Sequence, residues 1–67
     1  MTFEEAKELI KNSIQEDGSL FEGDLGYLYW SGDDSNNIVL DGEYSATELL
    51  AIVTYVNGFK SGETIDK

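Results

Sequence analysis

The chain has 67 residues, 14 acids, four lysines and a net charge of −10 at neutral pH. This length holds one small domain, which buries about 60% of the surface that its unfolded form exposes. With no Cys there is no disulfide and no thiolate metal centre. With no His and no Arg, the usual general base near pH 7 and the usual bidentate phosphate binder are both missing.

The first segment reads as a helix over residues 2–16. Thr2 and Glu5 stand at the spacing of a capping box, in which each side chain satisfies the other residue's free backbone N–H. Phe3, Ala6, Leu9 or Ile10, and Ile14 recur at helical spacing and form one apolar stripe. Glu4 and Glu5 favour the positive end of the helix dipole, Glu4 and Lys7 are spaced for an exposed pair, and Gly18 suits a left-handed stop.

The middle reads as strands and turns. Leu25 to Trp30 contains Tyr27-Leu28-Tyr29-Trp30, a run of strong strand formers, and Asn37 to Asp41 contains Ile38-Val39-Leu40. The polar stretch Ser31 to Asn37 between them is rich in turn residues, so the two runs read as an antiparallel hairpin. Leu20 and Phe21 either add a short third strand or plug the core. The pleat sends Tyr27 and Tyr29 to one face and Leu28 and Trp30 to the other; Ile38 and Leu40 share a face opposite to that of Val39.

The last segment reads as a second helix. Ser45 and Glu48 form another capping box, and Tyr44 and Leu49 match a hydrophobic staple. Leu49, Ile52, Val53 and Val56 make its apolar stripe, and Asn57-Gly58 is a helix stop after which Phe59 folds back on the core. The expected fold is therefore α+β: a helix–β-hairpin–helix domain over residues 1–60, with both helices packed on one face of the antiparallel sheet. Residues 61–67 are expected to form a flexible C-terminal tail.

Charge is the strongest functional signal. Between Lys11 and Lys60 there is no base, while nine carboxylates occupy the stretch. Direct binding of nucleic acid or an anionic membrane needs clustered Lys or Arg and is not expected. No apolar run approaches a membrane span of about 20 residues. The N-terminal residues lack the basic and apolar regions of a signal peptide, so the expected location is the cytoplasm.

The serines have no His to activate them, and carboxylate pairs need a cleft to act as general acid and base, so no catalytic residue is assigned. Asp33, Ser35, Asn37 and Asp41 fall at positions 1, 3, 5 and 9 of a calcium-loop register. The register fails where Gly and Glu are required, because Ile38 and Tyr44 stand there. Gly23 and Gly26 would offer a phosphate two negative neighbours, Glu22 and Asp24, and no cation. No metal and no cofactor are expected.

What remains is protein binding. Tyr27, Tyr29 and Trp30 are of the residue types that dominate interface hot spots, flanked by Glu22 and Asp24 before and Asp33 and Asp34 after. These seven residues are the candidate partner-binding set, and the expected partner is a basic protein surface. The paired acids Glu22/Asp24 and Asp41/Glu43 are two residues apart, about 6.6 Å in extended chain, of the order of two charge steps of about 3.4 Å along a nucleic-acid strand. The competing expectation is a small homodimeric adaptor or regulatory protein whose acidity serves solubility alone.

The stretch Ile38-Val39-Leu40-Asp41-Gly42-Glu43-Tyr44-Ser45-Ala46-Thr47-Glu48-Leu49-Leu50, a strand, an Asp-Gly turn and a boxed helix, resembles a pattern of small phage and mobile-element proteins. In charge and size the chain is also similar to small acidic phage proteins of the anti-defence or inhibitor type. The resemblance implies inhibition of a host nucleic-acid-acting or defence protein, by charge mimicry or occlusion, and transfers no functional residue.

Overall fold

A computed structural model describes residues 1–32 and 37–60. In chain order it contains α1 (Phe3–Leu9), a 3-10 turn at Lys11–Ser13, β1 (Tyr27–Tyr29), β2 (Val39–Asp41) and α2 (Ala46–Lys60). The architecture is the expected small α+β domain, with the two helices packed together and the two strands antiparallel.

Both helix starts follow from their local sequence. Thr2 Oγ1 accepts from the Glu5 amide at 3.1 Å, and Glu5 Oε1 accepts from the Thr2 amide at 2.8 Å. At α2 the Ser45 hydroxyl accepts from the Glu48 amide at 3.0 Å and the Glu48 carboxylate accepts from the Ser45 amide at 2.8 Å. Each box satisfies donors that the first turn would otherwise leave orphaned. Ser45→Ala is expected to cost about 1 kcal/mol and to lower the melting temperature by about 4–8 °C. An unchanged melting curve would contradict this starting point for α2.

The first helix is shorter than the reading of residues 2–16. After Ile10 come Lys11, Asn12 and Ser13, none of them apolar, and Asn and Ser compete for the backbone with their own side chains. The chain tightens into i→i−3 bonds, from the Ser13 amide to the Ile10 carbonyl (2.8 Å) and from the Ile14 amide to the Lys11 carbonyl (3.3 Å). Ile14 then turns extended and pairs with Leu20 across a tight reversal. The Asp17 carboxylate holds that reversal, accepting from the Ser19 amide at 2.9 Å and the Ser19 hydroxyl at 2.7 Å. Gly18 is left-handed as expected (φ +92°), but it serves this reversal and does not end a helix. The exposed ion pair among the described residues joins Glu8 of α1 to Lys11 of the 3-10 turn at 2.9 Å, in place of Glu4–Lys7, and Lys7 Nζ lies 6.0 Å from the Phe3 ring centre.

Leu20 both extends the sheet and fills the core. It pairs with Ile14 on one side and, through two backbone hydrogen bonds of 3.1 and 3.3 Å, with Trp30 on the other. In the sheet Tyr27 faces Asp41, Leu28 faces Leu40 and Tyr29 faces Val39. Pleat parity is as read from the sequence: Leu28 is buried while Tyr27 and Tyr29 are exposed. The core joins Ala6 and Ile10 of α1, Leu20, Leu28 and Trp30 of the sheet region, and Ala51, Ile52, Tyr55 and Val56 of α2. Both helices therefore meet the same inner side of the hairpin.

The second helix departs from its expected stripe and its expected end. Ile52 and Val56 are buried, but their partners are Ala51 and Tyr55, and Leu49 and Val53 are exposed. The helix also runs through Asn57-Gly58 to Lys60. A helical Gly costs about 1 kcal/mol relative to Ala. Here the bare backbone of Gly58 is where the Phe3 ring lies, and a Cβ would collide with Phe3 Cδ1. The aromatic packing that follows offsets that cost: Phe3 stacks on Tyr55 (5.2 Å, 11°), Tyr55 on Phe59 (6.0 Å, 27°), and Phe59 meets Trp30 edge-on (5.5 Å, 90°). Phe59 thus reaches the core from within the helix and not after a turn.

Two carboxylates tie stability to acid. The amide of Thr2 lowers the Glu5 carboxyl, and the amide of Ser19, followed by its hydroxyl, lowers that of Asp17. A carboxyl whose folded value is depressed adds stability above its unfolded value near 4 and loses it as pH falls through the lower folded value. Thermal melts from pH 6 to pH 2 should therefore show acid destabilisation, with a shallower acid limb in Asp17→Asn. Identical acid limbs would contradict the role given to the Asp17–Ser19 contacts.

Candidate functional site

The outer face of the hairpin carries Tyr27, Tyr29 and Val39, which are 44%, 49% and 49% exposed. Asp41, opposite Tyr27, shares this face. Neither described helix covers it, because the buried residues of both cluster with Leu28 and Trp30 on the other side. The Tyr44 hydroxyl donates to the Tyr27 carbonyl and so ties the start of α2 to this end of β1.

The acids gather at the same end. A tight turn closed by the Gly23–Gly26 bridge leads directly into Tyr27, with Asp24 at its tip and Glu22 just before it, both exposed. Asp24 is positioned by a hydrogen bond from Asn12 Nδ2 at 2.7 Å. Across the hairpin, Asp41 opposes Tyr27, and Glu43, two residues on, is also exposed. Glu22, Asp24, Asp41 and Glu43 thus border one end of an apolar and aromatic face. In sequence, no base lies between Lys11 and Lys60.

Of the seven candidate partner-binding residues, four take their places here: Glu22, Asp24, Tyr27 and Tyr29. Asp33 and Asp34 lie outside the described residues. Trp30 is corrected. It is fully buried between Leu20 and Phe59 and is a core residue, since pleat parity puts it on the face opposite to Tyr29. Sequence reasoning grouped it with the tyrosines by residue type, although the alternation it also used separates them. The same reasoning left out Val39, Asp41 and Glu43 from the set. Val39 and Asp41 are found through the strand register, which brings them opposite Tyr29 and Tyr27.

Ser13 Oγ is buried and has no hydrogen-bond partner among the described residues. No group of three or more acidic side chains among the described residues is placed to hold a metal ion. No described helix is long and apolar enough to cross a membrane. No family model matches the chain, and neither do any curated protein or solved structure.

Proposed function

We propose that this chain is a non-catalytic, acidic protein-binding module whose outer sheet face docks on a basic surface of another protein. One observation carries the reading: exposed Tyr27, Tyr29 and Val39 share a face bordered by the carboxylates of Glu22, Asp24, Asp41 and Glu43. Tyrosine rings supply contact area at low entropic cost, and the carboxylates speed encounter with cations and reject acidic partners. Where the partner's basic surface is one that grips nucleic acid, docking occludes it, and the module acts as an inhibitor by charge mimicry. The resemblance to small acidic phage proteins of the inhibitor type points the same way.

The experiment is capture of partners at low and high salt, followed by competition with nucleic acid for the partner captured. Single exposed ion pairs contribute about 0–1 kcal/mol, so the charge test needs several substitutions together. Glu22, Asp24, Asp41 and Glu43 changed to Lys should abolish most binding through slower association and flatten its salt dependence. A folded quadruple variant that binds with unchanged affinity and salt dependence refutes the reading.

A second reading, a homodimeric adaptor, is favoured by a different observation. Leu49, Leu50 and Val53 form an exposed uncharged patch on α2. Light scattering distinguishes the two: a dimer whose mass is insensitive to salt supports the adaptor, and a monomer at high concentration removes it.

A further inference from the structure

The open long edge of β2 is a second feature of the same site. In the described residues, β1 pairs with β2 on one side and its neighbour Trp30 pairs with Leu20 on the other, whereas no described strand lies beyond β2. All three β2 residues are exposed. Leu40 is 40% exposed although it faces inward opposite the buried Leu28, as expected at the rim of a sheet. The edge bears neither Pro nor Lys, the residues that commonly block edge pairing.

The direction of the backbone groups follows from the pairing of Trp30 with Leu20. Trp30 exchanges both backbone hydrogen bonds with Leu20, so its N–H and C=O point away from β2, and by alternation those of Tyr29 and Tyr27 face Val39 and Asp41. Alternate residues of a strand point their backbone groups to opposite sides. The N–H and C=O of Leu40 are therefore directed outward, to the open edge.

We infer that the partner of this module contributes an extended basic segment that pairs with the open edge of β2 as an added strand. Charge selects the occupant. A second copy of the chain would bring −10 against −10, whereas a basic strand meets Asp41 on the outer face of β2 and Glu43 just beyond its end. The pleat also predicts the segment's pattern: basic residues on the side of Asp41 alternate with apolar residues on the side of Leu40. Backbone pairing supplies affinity and the alternating side chains supply selectivity. The inference rests on the proposed acidic docking role and refines it.

The probe is an acetylated and amidated eight-residue peptide of alternating Lys and Val. Its comparator is the same peptide with every backbone nitrogen methylated, which keeps charge and side chains and removes all donors. At low salt the plain peptide should bind at least tenfold more tightly than the comparator. Amide exchange at Leu40 should slow at least tenfold on binding, with little change at Val39 and Asp41, whose amides already face β1. Equal binding of both peptides, or no slowing at Leu40, overturns the added strand and leaves the acidic docking face standing. Binding of neither peptide overturns both. Slow Leu40 exchange without peptide, together with a dimeric mass, shows that the edge is taken by a second copy and overturns the basic occupant.

Discussion

Trp30→Ala should be the most damaging single substitution, costing about 3–5 kcal/mol. Trp30 is fully buried, packs edge-on against Phe59 of α2, and sits in a backbone pair with Leu20. It therefore joins three separate parts of the chain, and truncation leaves a cavity that none of them alone can close. A domain of this length has a total stability of about 3–10 kcal/mol, so the variant should be largely unfolded at 37 °C by circular dichroism. Trp30→Phe keeps a ring in the site and should remain folded with a lowered melting temperature. Because the chain has a single Trp, the emission of the native protein also reports the site directly: a blue-shifted maximum that moves red on unfolding. A native maximum like that of free tryptophan would contradict its burial.

Gly18→Ala should follow closely, although Gly18 has no side chain to lose. Gly18 has φ +92°, a conformation in which an L side chain crowds its own backbone. Strain of this kind costs about 1–2 kcal/mol. A Cβ there would also collide with the Phe59 ring, and relieving such overpacking costs about 1–3 kcal/mol. The carbonyl of Gly18 accepts the Tyr55 hydroxyl at 2.7 Å, so any shift of the turn also weakens a tie to α2. The stiffer unfolded chain returns only about 0.4–1 kcal/mol. In a Phe59→Ala background the collision is gone, and the substitution should cost the backbone strain alone. Additive losses in the double variant would show that the ring is not the obstacle.

Glu22, Asp41 and Glu43 are exposed acids at the hairpin end, outside the buried cluster, so reversing them tests binding with little effect on folding. Asp24 is the exception, because its carboxylate accepts from Asn12 Nδ2. A Glu22, Asp41 and Glu43 triple variant that keeps Asp24 therefore serves as the control for the quadruple one.

Local rules were legible in the sequence because they act over three or four residues. The Thr2–Glu5 and Ser45–Glu48 boxes need only a short polar pair at the right spacing, and both form. Pleat parity is equally local, and it separates Tyr27 and Tyr29 from Leu28 and Trp30 before any tertiary contact is known. The acidic half of the candidate site was legible for the same reason, since Glu22 and Asp24 lie within five residues of Tyr27.

Tertiary structure decided what local rules leave degenerate. From Leu49 to Val56 the second helix has Leu, Leu, Ala, Ile, Val, Thr, Tyr and Val, apolar on nearly every side. Helical period alone therefore could not choose the inward face. The aromatic stack of Phe3, Tyr55 and Phe59 chose it, turning Ala51 and Ile52 inward and Leu50 and Val53 outward. The same stack carried the helix through Gly58, where the missing side chain makes room for Phe3. At the other end, Ile14 could have extended the first helix but gained a strand partner in Leu20 instead. The placement of Asp41 and Val39 beside the tyrosines followed from strand register. In each case the deciding contact joins residues far apart in the chain or across a turn. The physical reason is that burial rewards a side chain for the neighbours it finds in space, and sequence spacing specifies those neighbours only within a single element.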